Sequence, residues 1–215
     1  MKTRGHITFI FDDGYEAVWQ HVLPLLQKNN IPGVFALPLE SQKIGQETGA
    51  PMRGWQQWQR IAPTHEIAAH SVTHRDLITL SPSELETELR LPQETLKATT
   101  IIYPGGSYNE EVMRKAAKVY KAGRGVKRGF ETIPPHQPMG LKTFNFSRRN
   151  FSATKANLLA LYAWLTNKWL IETYHIVDTI PHADVHSLSI DGFAKHLKFV
   201  SHLPINKITI RQAIS

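Results

Sequence analysis

Short apolar runs alternate with helix-patterned segments along the whole chain, and this alternation restricts the fold more than any other feature of the sequence. A strand followed by a helix, repeated many times, implies parallel strands joined by crossover helices. Ile7–Phe11, Gly33–Leu39, Glu66–His70, Thr99–Pro104 and Trp169–Val177 read as strands, with "KAGRGV" and "LKTFNF" as weaker candidates and "KITI" (Lys207–Ile210) closing the chain. Between them, Glu16–Lys28 has helical spacing, with Val18, Val22, Leu25 and Leu26 on one face. Arg53–Ala62 reads as a short helix. Ser81-Pro82-Ser83-Glu84 is a capping box that opens a helix toward Lys97, and Pro92 is expected to kink or split it. Asn109, Ser152 and Ser189 are N-cap candidates for three further helices. Phe130–Gly140, with three prolines after Ile133, reads as a loop. Seven or eight βα-like units follow one another without a linker, repeat or low-complexity tract, so residues 1–215 are read as one catalytic domain of α/β class. A barrel fits better than an open sheet, because the polar clusters fall at strand C-terminal ends, where barrel sites are built.

With 215 residues the chain is long enough to bury a core without staples, and it has no cysteine, which excludes disulfides, thiolate metal sites and a cysteine nucleophile. The start "MKTRG" is followed by a strand-like run that ends in two aspartates, not by a leader's apolar stretch. The location is therefore read as cytoplasmic, or as the cell envelope where a leader has been removed. No run approaches the roughly 20 apolar residues of a membrane span. The net charge of +7 reads as that of an ordinary soluble basic protein, or as attraction to an anionic partner such as a cell-wall polymer, a membrane surface or nucleic acid. Basic residues are scattered except in Lys118–Gly129 and Ser147–Asn150, and neither run is the aromatic-interleaved strip that binds single strands, so no nucleic-acid partner is expected.

Four polar constellations sit at strand ends. In "ITFIFDDGY", Asp12 and Asp13 stand side by side after an apolar strand. Adjacent carboxylates repel, but successive side chains at a strand end point in different directions, so one can bind a metal while the other faces a substrate. In "HSVTH", His70 and His74 are four apart, and one helix-like turn brings both imidazoles to one side. Two histidines and one carboxylate leave coordination positions open for water and substrate. In "YPGGSYN" (Tyr103–Asn109) the glycines allow close approach of a ligand and expose N–H donors. In "ETYHIVD", His175 lies near the end of an apolar strand, as a chemical group or as a hydrogen-bonded core histidine.

In order and approximate spacing, "TFIFDDGY", "HSVTH", "YPGGSYN" and "YHIVD" resemble the motifs of the NodB-homology polysaccharide deacetylases, carbohydrate esterase family four, over nearly the whole chain. The resemblance implies a distorted, NodB-like (β/α) barrel, usually of seven strands. It implies that Asp12 is the general base, that Asp13, His70 and His74 hold a divalent metal, and that Ser71 braces the loop between the histidines. Gly105, flanked by Tyr103 and Pro104, matches the position whose backbone N–H stabilises an oxyanion, and His175 matches the general acid. The implied reaction is hydrolysis of an N-acetyl group on an amino sugar or N-acetylated glycan, with release of acetate. The ligand set suits zinc first and also accepts cobalt, nickel, iron or manganese.

Three departures from the family pattern bear on the substrate. The arginine that many members carry about five residues before the motif proline is missing from Thr99–Tyr103, and Arg148 or Arg149 could replace it from another strand end. The common Pro-Tyr is Pro104-Gly105, which removes a side-chain wall. No D-x-x-D-W segment is present to tune the acid histidine, and Asp178 and Asp184 are the candidates for that role. Trp55 and Trp58 are either core or a sugar platform; Trp164 and Trp169 read as packing residues. These departures keep a second activity open, an amidohydrolase of the same fold acting on a small non-sugar or cyclic amide. The particular glycan and the oligomeric state are not legible.

Overall fold

The structure, a computed structural model, describes residues 4–180 and 182–215. Met1–Thr3, part of the start on which the leader reading rests, lie outside the described residues. Seven parallel strands form the centre: β1 (His6–Phe11), β2 (Gly33–Leu37), β3 (Glu66–Ala69), β4 (Thr100–Ile102), β5 (Ala122–Arg128), β6 (Leu141–Asn145) and β7 (Trp169–Tyr174). They pair in chain order, and β1 also pairs with β7, from His6 opposite Trp169 to Phe11 opposite Tyr174. That last ladder closes the sheet into the seven-stranded (β/α) barrel. A small parallel pair, β8 (Ile176–Asp178) with β9 (Ser187–Ser189), lies outside it, and β10 (Asn206–Lys207) pairs with the start of β1. The helices are α1 (Leu23–Lys28), α2 (Gln42–Thr48), α3 (Trp55–Trp58), α4 (Pro82–Leu96), α5 (Glu110–Ala116), α6 (Ala153–Thr166), α7 (Ile190–His202) and α8 (Ile210–Ala213). Among the described residues no helix is long and apolar enough to cross a membrane.

The strands read as continuous apolar runs because both of their faces are buried. Ile10, Val34, Ala36, Ala68, Ile102, Ala122, Leu141, Trp169 and Ile171 fill the barrel interior. Ile7, Phe9, Phe11, Phe35, Leu170 and Tyr174 face the helices in the larger outer core. Each large side chain so buried contributes about 2 kcal/mol. Trp58 is fully buried against Phe35 and Trp19, so it is core and not a sugar platform. Trp169 is likewise buried, its indole N–H donating to Thr8 Oγ1 at 2.9 Å.

Several local expectations change. "KITI" is not a strand: only Asn206 and Lys207 pair with β1, Ile208 adds one hydrogen bond to Ile7, and Thr209 then caps α8. The buried Glu66 carboxylate accepts from the Arg211 backbone N–H at 2.7 Å and from Thr100 at 2.6 Å, which secures this helix against the bottom of the barrel. Pro92 does not divide α4; it lies on the buried face with Leu85, Glu88, Leu89 and Leu96, and packing outweighs the one lost donor. The helix expected from Glu16 opens as a π-turn, Val18–Val22, because Pro24 cannot donate to the carbonyl four residues back. The apolar run Trp169–Val177 breaks at His175 into β7 and β8. Helix α2 was not anticipated; its sequence, QKIGQET, has a single buried apolar residue, Ile44.

A Cβ added at Gly123 would lie 2.3 Å from Tyr103 Oη and 2.7 Å from its Cζ. The ring is fixed by the Tyr103 hydroxyl donating to the Met139 carbonyl at 2.9 Å. Gly123→Ala is therefore expected to destabilise the barrel by about 1–3 kcal/mol, read as a lowered thermal midpoint. Tyr103→Phe in the same background is expected to leave most of that loss in place, since the ring carbon still collides.

Candidate metal centre and active site

All the clusters singled out in the sequence lie at the C-terminal end of the barrel, because parallel strands deliver their following residues to one rim. Asp12 and Asp13 follow β1, His70 follows β3, Tyr103–Gly106 follow β4 and His175 follows β7. They converge on a cavity of about 240 Å³ whose walls include Asp12, Asp13, His70, His74, Gly105 and His175. Asp13 Oδ1 lies 3.3 Å from His70 Nε2 and 3.3 Å from His74 Nε2. The three ligand atoms lie within 4.8 Å of one another.

The donor set fits a divalent cation on three counts. Asp13 Oδ1 is buried with no hydrogen-bond partner among the described residues. His70 Nδ1 donates to the Ile102 carbonyl at 2.7 Å, which turns Nε2 toward Asp13. Burial, reinforced by the His70 charge, pushes His74 down to about 4, so its nitrogen is unprotonated at neutral pH. Burial pushes Asp13 up, but the His70 hydrogen bond and the charges of His175, His70 and His74 pull it well below the usual carboxylate range. Burial lowers the His70 pKa, and its contacts with Asp13 and Asp12 more than offset this, so the net shift is upward from the ordinary histidine value.

Two of the three candidate ligands, and the serine after the third, sit in strained backbone. Asp13 (φ 75°), Ser71 (φ 65°) and His74 (φ 59°) are all left-handed non-glycine residues, a conformation that costs about 1 kcal/mol or more at each. Ser71 Oγ accepts from the His74 N–H at 3.0 Å. A larger clamp comes from Glu88 on α4. Its buried carboxylate accepts from the N–H groups of Val72 at 2.7 Å and Thr73 at 3.0 Å, and from the Thr73 hydroxyl at 2.5 Å. Nothing singled Glu88 out in the sequence except an acidic residue at an inward position of an amphipathic helix, beside Leu85 and Leu89.

Asp12 has a different partner. Arg124, from β5, reaches up through the barrel interior and places Nη2 2.7 Å from Asp12 Oδ1 and 2.5 Å from Oδ2; both side chains are buried. The arginine missing before Pro104 is thus supplied by the neighbouring strand and not by Arg148 or Arg149. Arg148 is spent elsewhere, donating to the carbonyls of His182 and Ala183 at 3.2 and 2.9 Å, and Arg149 is exposed. Arg124 was legible only as an arginine two residues after the inward-facing Ala122, in a strand candidate too weak to give parity weight.

His175 Nε2 lies across the cavity, 3.7 Å from Asp12 Oδ2. Burial pushes its pKa below the ordinary histidine value, against the opposing effect of Asp12 and Asp13. Its Nδ1 is buried with no partner among the described residues. Neither carboxylate expected to tune it does so. Asp178 binds His182 at 2.8 Å and His21 at 3.3 Å, and Asp184 lies 3.3 Å from His186 Nδ1. The His186 ring instead packs at a tilt of 34° against His175, with centroids 4.7 Å apart, and also lines the cavity. Gly105 lines the cavity in a left-handed turn (φ 60°), with Tyr103 beside it; Pro104 is buried. Tyr15, Glu47, Thr48 and Asn145 complete walls that the sequence did not single out. Burial and the Asp13 charge raise the Tyr15 hydroxyl far above its usual range, so it remains a neutral donor.

Comparison with known proteins gives the family and the fold. The family description "Polysaccharide deacetylase" matches residues 2–122. The chain belongs to the polysaccharide deacetylase family. It is 27% identical over 136 residues to the Bacillus subtilis (strain 168) protein named "Putative polysaccharide deacetylase YxkH"; the match covers 60% of this chain and 45% of the relative, less than half its length. Among solved structures, the Xyl-CE4 domain of a multidomain xylanase from the hindgut metagenome of Trinervitermes trinervoides superimposes with a TM-score of 0.63 at 15% identity, over 98% of this chain and 89% of that one. The peptidoglycan deacetylase PdaC from Bacillus subtilis (mutant D285S) gives 0.61 at 16% identity, over 98% and 90%. At these identities the two structures speak for the fold.

If Glu88 preorganises the ligand loop, Glu88→Ala is expected to weaken zinc or cobalt binding by about 10-fold to 100-fold, measured by competition with a chromogenic chelator. Asp13→Ala is expected to abolish binding at this site altogether.

Proposed function

We propose that this chain is a metal-dependent hydrolase that removes the acetyl group from an N-acetylated amino sugar of a glycan, with residues 1–215 acting as one catalytic domain. The observation that carries the reading is the division of labour between the adjacent aspartates. Asp13 turns to His70 and His74, while Asp12 is held by Arg124 and faces His175.

Asp13, His70 and His74 hold the cation, zinc by the chemistry of the donors. When bound it polarises the acetyl carbonyl and acidifies a water molecule. Asp12 is not a ligand in this arrangement, so its carboxylate accepts the proton of the attacking water. Arg124 fixes both of its oxygens, so the base does not swing to the cation. The backbone N–H of Gly105 donates to the oxygen on which negative charge develops. His175 delivers a proton to the sugar nitrogen as the carbon–nitrogen bond breaks, giving acetate and a free amine. Its lowered pKa means that it begins the cycle neutral, and the proton taken up by Asp12, 3.7 Å away, is the one it passes on.

The test is acetate release from an N-acetylglucosamine oligomer by protein stripped of metal and reloaded with zinc or cobalt. Release is expected only from the reloaded protein and not from Asp13→Ala. His175→Ala and Arg124→Gln are expected to keep metal affinity while lowering kcat by about 10²-fold or more. No release from the metal-loaded wild type, with turnover of a small amide in its place, would transfer the site to the amidohydrolase reading.

A further inference from the structure

The cavity over the metal centre does not end at its own walls. Val126 and Asn145 line it and also line a second cavity of about 200 Å³, between the ends of β5 and β6 and the start of α6. The junction is made by an irregularity in β5. Arg124 pairs with Leu141 and Arg128 with Thr143, so four residues on β5 span two on β6, and Val126 is thrown outward against Gly106.

The two cavities have opposite charge character. Asp12, Asp13, Glu47 and Asp184 line the first, with Arg124 as its one arginine, already engaged by Asp12. The second is lined by two cations, Arg128 and Lys155, and by no carboxylate. Neither cation has an ion-pair partner among the described residues, whereas Arg53, Arg75 and Arg90 elsewhere on the chain each meet a carboxylate. The Arg128 guanidinium is held 5.1 Å over the face of Phe144, which keeps it at the wall. Lys155 stands in the first turn of α6, where no acidic residue offsets the positive end of the helix dipole. At the junction, Asn145 Oδ1 is buried and has no donor among the described residues.

We propose that the second cavity is an anion subsite. It holds a carboxylate or phosphate carried by the sugar next to the one whose acetamide reaches the metal centre. Arg128 and Lys155 contact the anion, and Asn145 accepts a sugar hydroxyl. The assignment rests on the deacetylase reading and narrows it to acidic N-acetylated glycans. The net charge of +7 acts in the same direction by drawing such a polymer to the surface.

The experiment compares kcat/KM for N-acetylated oligosaccharides of equal length whose flanking sugar is neutral, carboxylated or phosphorylated. It uses the metal-loaded wild type, Arg128→Gln, Lys155→Gln, and Lys121→Gln as a control just before the opposite end of β5. The wild type is expected to prefer an anionic arm by about 10-fold or more, and the preferred arm identifies the anion. Arg128→Gln and Lys155→Gln are each expected to lower the anionic-to-neutral ratio by about 10-fold, and Lys121→Gln to leave it in place. A wild type that prefers the neutral oligomer, or a ratio that Arg128→Gln and Lys155→Gln do not move, overturns the subsite. If no oligosaccharide is turned over, the deacetylase reading fails by itself, and titration of the unreacted anionic oligomer onto the full chain decides the subsite separately. Binding that weakens in Arg128→Gln upholds it, and absence of binding removes it.

Discussion

Two adjacent carboxylates buried at the end of one strand set the terms for the rest of this molecule. Left without partners, each would cost several kcal/mol and neutralise itself by taking up a proton. The barrel resolves the pair by geometry. Neighbouring residues at a strand end diverge, so Asp12 turns to the interior, where Arg124 rises from β5, and Asp13 turns to the two histidines that follow β3. Neither solution exists within one βα unit. Arg124 lies 112 residues from Asp12 along the chain, and only closure of the sheet, β1 against β7 and β5 across the interior, brings them together.

Around that arrangement the chain accepts local strain in exchange for position. Left-handed backbone at Ser71 and His74 is unfavourable for residues with a Cβ, and it persists because Ser71 and Glu88 over-determine the loop. A buried carboxylate accepting from two backbone N–H groups and a hydroxyl is a stiff support, so the site's rigidity comes from α4 as much as from the barrel. The His175 side of the cavity is built otherwise. His175 has no carboxylate on its Nδ1 among the described residues and is packed by His186. Its protonation is therefore governed by burial and by the carboxylates across the cavity.

Charge is partitioned along the rim in the same way. The carboxylates gather over the candidate metal site, and Arg128 and Lys155 stand in the adjoining cavity without ion-pair partners among the described residues. Strand pairing explains the partition. The irregularity in β5 that lifts Val126 also separates Arg124, which points inward to Asp12, from Arg128, which faces the second cavity. Two arginines four residues apart in one basic run thus serve different purposes.

The sequence by itself determined the alternation of strands and helices, the caps at Ser81, Asn109, Ser152 and Ser189, and the gathering of Asp12, Asp13, His70, His74, Gly105 and His175 on one rim. Those follow from local rules, hydrophobic periodicity and side-chain capping, together with the fact that parallel strands all end at the same face. Only the tertiary structure decided which arginine meets Asp12, that Glu88 supports the ligand loop, that Asp178 serves His182 and His21 and not His175, and that "KITI" ends as a capped helical turn under the barrel. Each of those depends on which groups share a buried space once the sheet has closed. A buried charge takes the partner that geometry places within reach, and spacing along the chain carries no information about that.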